Sequence, residues 1–545
     1  MWIEKQTFGE LIDRAARRWP EREALVFEER RWTFAQQRDE VDRAARALIA
    51  AGVGQGEHVC LWLGNRPEHV FLFFAVAKIG AVLVPMNTRF RTRDMAYIVT
   101  QSDATTLITA DRAHGVDYLA MVEELLPGLR AQPADAVAID AAPALRRVIL
   151  LGEPTPGTLS WAALLQAGAA VPEAELARRS AAVDPDGTVY IMYTSGTTGF
   201  PKGVMQGHNV VRNIFDNANR LGITPHDVIV DYLPLFHAFA VYKALLMSPA
   251  TGARHVLMAS FDAGEALRLI EAERGTMING FDTHYKDLIE HPSRAGRDLS
   301  SLRTGVCAAG MLSSEPTARR AQALMKTMTG YGMTEIGVGV TGSFLDSDEE
   351  TRVTMSGWPL PGYEIQVVDP LSGAALPAGQ VGEICVRGYQ VMQGYYKKPD
   401  ETARTIDADG WFHTGDSGLL RADGCLRFLG RYKDLLKVGG ENVDPTEIES
   451  LLLADPRVNQ VAVVGLPDAR LAEVPVAFVI REAHARLSED EVFALCRGTI
   501  ASFKIPRRVF FVDALPMTSS GKVQKFLLRQ DAQRRADDGS AGGLP

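Results

Sequence analysis

At 545 residues the chain is too long for one compact core, and a figure of roughly 150 residues per domain points to several structural units. A hydrophobic content of 46% beside 23% charged residues belongs to a soluble globular protein and excludes a fibrous or disordered one. The net charge of −9 speaks against nucleic acid as a partner, while leaving room for a local basic site that takes a phosphorylated ligand.

The first twenty residues carry charges where a signal peptide would need its apolar stretch. From Thr33, a helical stripe of Phe34, Val41, Ala45, Leu48 and Ile49 predicts a helix with Thr33 as its cap. HVCLWL (58–63) reads as a buried strand, a helix follows to about Lys78, and AVLVPM reads as another strand. The most apolar segment, residues 70–86, contains Lys78 and Gly80 and ends at Pro85, so it is too short and too interrupted to span a bilayer. Such alternation implies a mainly parallel sheet covered by helices on both sides. Residues 127–180 are rich in Ala, Pro and Leu and carry no recognisable chemistry.

TVYIMYTSG (188–196) is a strand running into a hydroxyl- and glycine-rich loop, and VIVDYLPLF, RHVLMAS, TGVCAAG and TMTGYG recur as short strands ending in turn residues. Parallel sheets place ligands beyond the carboxyl ends of their strands, so these loops are where chemistry is expected. Asp262 in FDAG is a helix cap, and Asp282 is expected to cap the helix beginning THYKDLI. From about residue 358, EIQVVD, GEICVRG and GCLRFLGR are short alternating strands of a small β-barrel-like subdomain. Beyond a boundary near 430–434, Asp444 as cap, Pro445 at the first helical position and Glu447 three residues after the cap open an α+β unit. The tail, 531–545, is expected to be disordered. Cys60, Cys307, Cys385, Cys425 and Cys496 form no CxxC pair, which suits a reducing compartment and a cytoplasmic location.

Four stretches carry candidate chemistry. YTSGTTGFPKG (193–203) is either an ordinary polar loop or a phosphate cradle; it is not a Walker A sequence, because Pro201 separates Lys202 from the preceding glycines. Glycines let backbone N–H groups approach a polyphosphate, hydroxyls donate hydrogen bonds, and a lysine adds positive charge. GYGMTE (330–335) offers Tyr331 and Gly332 to a planar ring, Thr334 as a donor, and Glu335 as a hard oxygen ligand for Mg²⁺, or else it is a turn with a cap. GWFHTGD (410–416) with GRYKDLLKVGGEN (430–442) supplies Asp416 for the two hydroxyls of a ribose and Arg431 beside it, or a surface ion pair. PMTSSGKVQK (516–525) tethers Lys522 behind a glycine.

In this order and spacing the four stretches resemble the adenylate-forming (AMP-binding) enzymes, in particular the acyl-CoA synthetase and fatty-acid–CoA ligase branch, over residues from about 8 to 530. The resemblance implies an α/β fold with an AMP-binding domain over 1–430, a hinge at 431–433 and a small mobile C-terminal domain over 434–530. It implies an ATP-dependent ligase that joins a carboxylic acid to coenzyme A through an acyl-adenylate, with Mg²⁺ as cofactor. Thr194, Ser195, Gly196, Thr197, Thr198, Gly199 and Lys202 would then hold the departing phosphates, and Ala309, Gly310, Tyr331 and Gly332 would line the adenine slot. Thr334 would stand near the α-phosphate and Glu335 at the metal. Asp416 and Arg431 would hold the ribose, and Lys522 would place its ammonium between carboxylate and α-phosphate. By the same resemblance Lys433 is the hinge, and Gly439, Gly440 and Glu441 form the loop that admits the thiol after rotation. Lys522 in PxxxxGK is also a candidate for silencing by a lysine acetyltransferase.

The acyl pocket is expected from LPLFHAFAVY (233–242), NGFDTHY, CAAGM and GMTEIGVGV, with Phe236, His237, Phe281 and Gly332 lining it and His237 acting as a gate over the carboxylate. His237 stands where amino-acid-activating relatives have an Asp, which disfavours an amino-acid substrate. No Arg or Lys in these segments stands ready for a second carboxylate, so a monocarboxylic fatty acid is expected, with a cyclic or aromatic acid as the alternative. A carrier-protein acceptor in place of free CoA is the other alternative.

Overall fold

The computed structural model describes residues 5–113, 115–194, 201–308, 314–434, 436–438, 441–468, 470–497, 499–500, 502–517 and 523–537. Two eight-stranded sheets dominate the chain up to residue 360, and both are mainly parallel. In one, His58–Trp62 lies between Val82–Pro85 and Thr106–Ala110, with Arg147–Leu151 beyond, all parallel. Thr188–Thr194 joins it beside Val82–Pro85, and Lys202–Gly207 turns back antiparallel to Thr188–Thr194. The other sheet carries Val228–Asp231, Arg254–Leu257, Met277–Ile278, Thr304–Ala308 and Lys326–Met328 in parallel. The stretch 127–180, mute in sequence, supplies Arg147–Leu151 to the first sheet and two covering helices, Trp161–Gly168 and Glu173–Ala181.

Helices pack between and outside the sheets for reasons visible in their sequences. Thr33 caps Phe34–Ala50 through a reciprocal box with Gln36, and Phe34, Val41, Ala45 and Leu48 are buried. The apolar segment from residue 70 is split between the helix Pro67–Lys78 and the strand Val82–Pro85. Apart from Glu68 that helix is buried on every side, as expected of one hydrophobic all round and enclosed by protein. The Lys78 ammonium at its end is neutralised by Asp13 and Asp42, each at 2.6 Å. Among the described residues no helix is long and apolar enough to cross a membrane.

The alternating strands after residue 358 form a four-stranded antiparallel sheet of Tyr363–Val368, Gly382–Gly388, Phe412–Leu420 and Leu426–Arg431. A separate C-terminal domain follows, built on a five-stranded sheet with Val458–Asp468 and Ala472–Arg481 as its long antiparallel pair. Asp444 caps Pro445–Leu453 by accepting the Thr446 N–H at 2.8 Å. Glu447 does not close a capping box; its carboxylate reaches across to Lys504 at 2.6 Å, an ion pair outweighing a local cap. The tail also departs from expectation, because the helix Lys525–Asp537 runs seven residues into the stretch expected to be disordered. Ala532 is fully buried against Val464, Val476 and Phe478, and Asp531 pairs with Arg534 and Arg535 one turn on, so tertiary burial overrides a polar local composition.

Candidate active site

The site lies at the carboxyl end of Thr188–Thr194, where the hairpin register sets Thr194 opposite Lys202. Residues 195–200 between them, and with them Ser195, Gly196, Thr197, Thr198 and Gly199, lie outside the described residues. The base of the loop is clamped: the Tyr193 hydroxyl donates to Gln101, and the Tyr97 hydroxyl donates to the Pro201 carbonyl at 3.1 Å. Lys202 does not point into open space. Its ammonium meets Glu401 at 2.7 Å and sits 4.8 Å from the centre of the Tyr395 ring.

The GYGMTE stretch follows Lys326–Met328 and is shaped by glycine. A Cβ on Gly332 would fall 2.3 Å from the Gly339 nitrogen, so only glycine allows the chain to fold back on itself here. Gly337 at φ 82° and Gly339 at φ 96° complete the reversal, and the Tyr331 N–H donates to Thr341 Oγ1 at 3.0 Å. Thr334–Ile336 is then a short 3₁₀ turn that presents Glu335 to Thr194. Glu335 is buried, and one carboxylate oxygen accepts from the Thr194 hydroxyl at 3.3 Å and the Tyr395 hydroxyl at 3.2 Å. Two stretches 141 residues apart thus meet in one cluster of hard oxygens.

Tyr331 links this cluster to the antiparallel sheet. Its hydroxyl donates to Asp416 at 2.7 Å, and its ring lies 5.5 Å from that of Phe428. Burial and the Asp416 carboxylate push the Tyr331 phenol well above its ordinary value, which keeps it a donor. Asp416 stands in register with Arg431 across Phe412–Leu420 and Leu426–Arg431, and the guanidinium lies 3.5 Å from its carboxylate. Asp416 is buried while Arg431 is 41% exposed, so the carboxylate is enclosed and the guanidinium faces solvent.

The segments expected to form the acyl pocket follow strands of the other sheet, Val228–Asp231 and Gly280–Phe281. Asn65 fixes the turn after Val228–Asp231: it accepts the Leu235 N–H at 2.8 Å and donates to Leu233 and Met258 carbonyls at 2.9 and 3.0 Å. His237 then opens a short helix, with its ring 6.1 Å from that of Phe236. Phe281 packs edge-on to Phe239 at 5.3 Å. Asp282 is the first residue of the helix Asp282–Glu290 rather than the residue before it, and its carboxylate accepts the Thr283 N–H at 2.9 Å. Burial raises Asp282 above its ordinary range.

Of the remaining expected residues, Ala309, Gly310, Gly439, Gly440 and Lys522 lie outside the described residues. Lys433 falls in the 3₁₀ turn Tyr432–Asp434, and Glu441 begins the strand Glu441–Val443. Three partners escaped the sequence. Tyr395 and Glu401 sit in a stretch with no role assigned from sequence; the pairing of Val204 with Tyr395 brings the first to the site, and the helix Pro399–Thr405 carries the second. Lys243 is one residue beyond the segment read as pocket wall, yet it is buried and hydrogen-bonded to Asn217 at 2.5 Å.

The chain belongs to the AMP-binding enzyme family: the family model matches residues 12–396, and the model of the AMP-binding enzyme C-terminal domain matches residues 447–522. It is 37% identical over 529 residues to the 7a-methyl-1,5-dioxo-octahydroindenyl propanoyl:CoA ligase of Mycobacterium tuberculosis, covering 96% of this chain and 99% of that one. It is 32% identical to the mitochondrial medium-chain acyl-CoA ligase ACSF2 of Rattus norvegicus, covering 97% and 88%. Among solved structures, the anthranilate CoA ligase AuaEII in complex with anthranoyl-AMP superposes with a TM-score of 0.85 at 28% identity, over 98% and 99% of the two chains. The protein is an AMP-forming acid–thiol ligase of the acyl-CoA synthetase branch, with ATP, CoA and a small carboxylic acid as its substrates.

Proposed function

We propose that the protein activates a monocarboxylic acid with a largely apolar body, a fatty acid or a ring-bearing acid, and transfers it to free CoA. The observation that supports this most is the meeting of Thr194, Glu335 and Tyr395 beside the Tyr331–Asp416–Arg431 chain, because it sets phosphate-side and ribose-side groups on one edge. A carboxylate acylates poorly until its oxygen carries a good leaving group, and attack on the α-phosphate of ATP provides AMP. Such phosphoryl chemistry depends on positioning and charge neutralisation.

In this reading Asp416 accepts both ribose hydroxyls, with Tyr331 holding it in place and Arg431 folding over. Thr194, the 195–199 loop and Lys202 hold the departing pyrophosphate, so Lys202 must exchange Glu401 for phosphate. Gly332, Ala309 and Gly310 leave room for adenine, and Thr334 donates to the α-phosphate. The Glu335 carboxylate and Thr194 hydroxyl are the hard oxygen donors that Mg²⁺ takes, and bound there the ion would neutralise phosphate charge. Lys522 stabilises the negative charge that develops between the two substrates. Residues 1–430 then form the adenylating body, 431–433 the hinge, and 434–530 the part that turns to bring Gly439, Gly440 and Glu441 to the adenylate for thiol entry. Phe236, His237 and Phe281 form the acyl entrance, with His237 over the carboxylate.

The ring-bearing reading is supported by the propanoyl:CoA ligase and anthranilate ligase relatives, and the fatty-acid reading by the medium-chain relative. A reducing, cytoplasmic setting suits five free, buried cysteines. The test is pyrophosphate release over a panel of fatty, cyclic and aryl acids with and without CoA, with products identified by mass. CoA-dependent turnover to an acyl-CoA supports the reading, whereas an adenylate that accumulates whether or not CoA is added replaces it with a carrier-protein ligase.

A further inference from the structure

The inward-facing lysines among the described residues are of two kinds. Lys78 is 5% exposed and lies between two carboxylates, and Lys202, Lys504 and Lys525 each meet a glutamate at 2.6 to 2.7 Å. Lys243 is as deeply buried, at 4% exposed, yet among the described residues its ammonium has an amide oxygen as partner and no carboxylate within ion-pair distance. The stretches 195–200 and 309–313 contain no acid either. A buried cation without a counter-charge is strongly unfavourable unless another acceptor completes its shell. Burial, and then the like charge of Arg220, lower Lys243 to about 7.

The position of Lys243 ties it to the acyl side. It follows His237 by six residues, about 9 Å along a helix, and it lies in the π-helical segment Val241–Leu245, a widened turn of a kind often found at functional sites. Its head rests against the glycine strip that continues from Thr334 and Glu335, since a Cβ on Gly339 would come 3.0 Å from both Lys243 Nζ and Asn217 Oδ1. Asn213 and Asn217 hold that strip by donating to the Gly339 carbonyl at 3.1 and 3.2 Å. The amide groups are therefore engaged in hydrogen bonds, and the lysine keeps further donors to offer.

We propose that Lys243, seated on Asn217, forms a subsite for a hydrogen-bond-accepting oxygen at the end of the acyl group remote from its carboxylate, so that the preferred acid carries a distal keto group. This rests on the ligase reading above. An apolar tail would leave the lysine with Asn217 as its one acceptor among the described residues, whereas a carbonyl oxygen adds a second acceptor without bringing a second full charge into the pocket.

The experiment uses the full-length protein and adenosine sulfamates that mimic the acyl-adenylate without turnover, bearing octanoyl, 7-oxooctanoyl and 7-carboxyheptanoyl chains. Dissociation constants are measured by calorimetry for the unaltered protein, for Lys243→Met and for Asn217→Asp. The 7-oxooctanoyl analogue is expected to bind about tenfold more tightly than the octanoyl one. Lys243→Met should remove that preference, and Asn217→Asp, which supplies the lysine with a carboxylate, should reduce it while raising the melting temperature. Tight but equal binding of the octanoyl and oxo analogues by the unaltered protein overturns the subsite and leaves the ligase reading standing. Tightest binding of the carboxylate analogue overturns the keto assignment in favour of a dicarboxylic acid. Failure of all three to bind overturns the ligase reading, and this proposal with it.

Discussion

Glu335 and Tyr331 are four residues apart in sequence but face different groups, and the difference separates their expected roles. Glu335 gathers two hydroxyls onto one oxygen, so if it stands at the phosphates as proposed, removing its charge acts on the chemical step. Glu335→Gln is expected to lower the rate constant for adenylate formation by about 10² to 10³, with little change in melting temperature; single-turnover pyrophosphate release measures the first and calorimetry the second. Tyr331 donates to a buried carboxylate, so its loss weakens a charge-assisted hydrogen bond rather than the reaction itself. Tyr331→Phe should raise KM for ATP by about tenfold with a smaller effect on kcat, and a kcat loss without a KM change would contradict that role. At this scale the sequence was informative where residue type decides the backbone: the Gly332 of GYGMTE is legible because few other residues permit the chain to fold back there. Lys243 was not, since a lysine on an apolar helix face reads the same whether its partner is an acid, an amide or a substrate.

Among the elements, the caps show how far local rules reach. Thr33 with Gln36 and Asp262 with the Glu265 N–H behave as their sequences require, because both partners are within one helical turn. Glu447 fails the same rule because Lys504, 57 residues on, is placed beside it by the fold. Asp227 shows the same reach in energetic form. Burial pushes its carboxyl up, but Arg303 at 2.5 Å, the Thr276 hydroxyl and the Thr224 N–H outweigh burial and hold it below the usual range. A folded value lowered in this way gives stability that is complete above the unfolded value of about 3.9 and drains away as pH falls through the folded one. Melting temperature should therefore drop on acidification below about pH 4, and Asp227→Asn, less stable at neutral pH, should show a shallower decline when melts are compared from pH 3 to 6.

On the scale of the whole molecule, the chain passes from one part to the other through the turn Tyr432–Asp434, and Lys286 of the first part donates to the Asn459 carbonyl of the second at 3.4 Å. If 431–433 is the pivot between two half reactions, a residue with fixed φ at Lys433 should stop the pivot without touching the adenylation groups. Lys433→Pro is expected to retain most adenylate formation and to lose thioester formation, read as acyl-AMP and acyl-CoA separately by mass. Equal loss of both would place 433 outside the hinge.

The sequence by itself determined the α/β pattern, the helix starts at Thr33, Asp262 and Asp444, the order of the four chemical stretches and, through them, the family. Those signals are local: side-chain periodicity, glycine where the backbone must double back, and a cap one turn from the N–H it serves. Only the tertiary structure decided which polar groups would meet. It brought Tyr395 to Glu335 and Glu401 to Lys202 from 60 and 199 residues away, built a helix into the polar tail, and buried Lys243 beside an amide rather than an acid. The physical reason is that a polar group's partner is whichever group the packed core leaves within about 3 Å, and that distance is set by the pairing of strands remote in sequence.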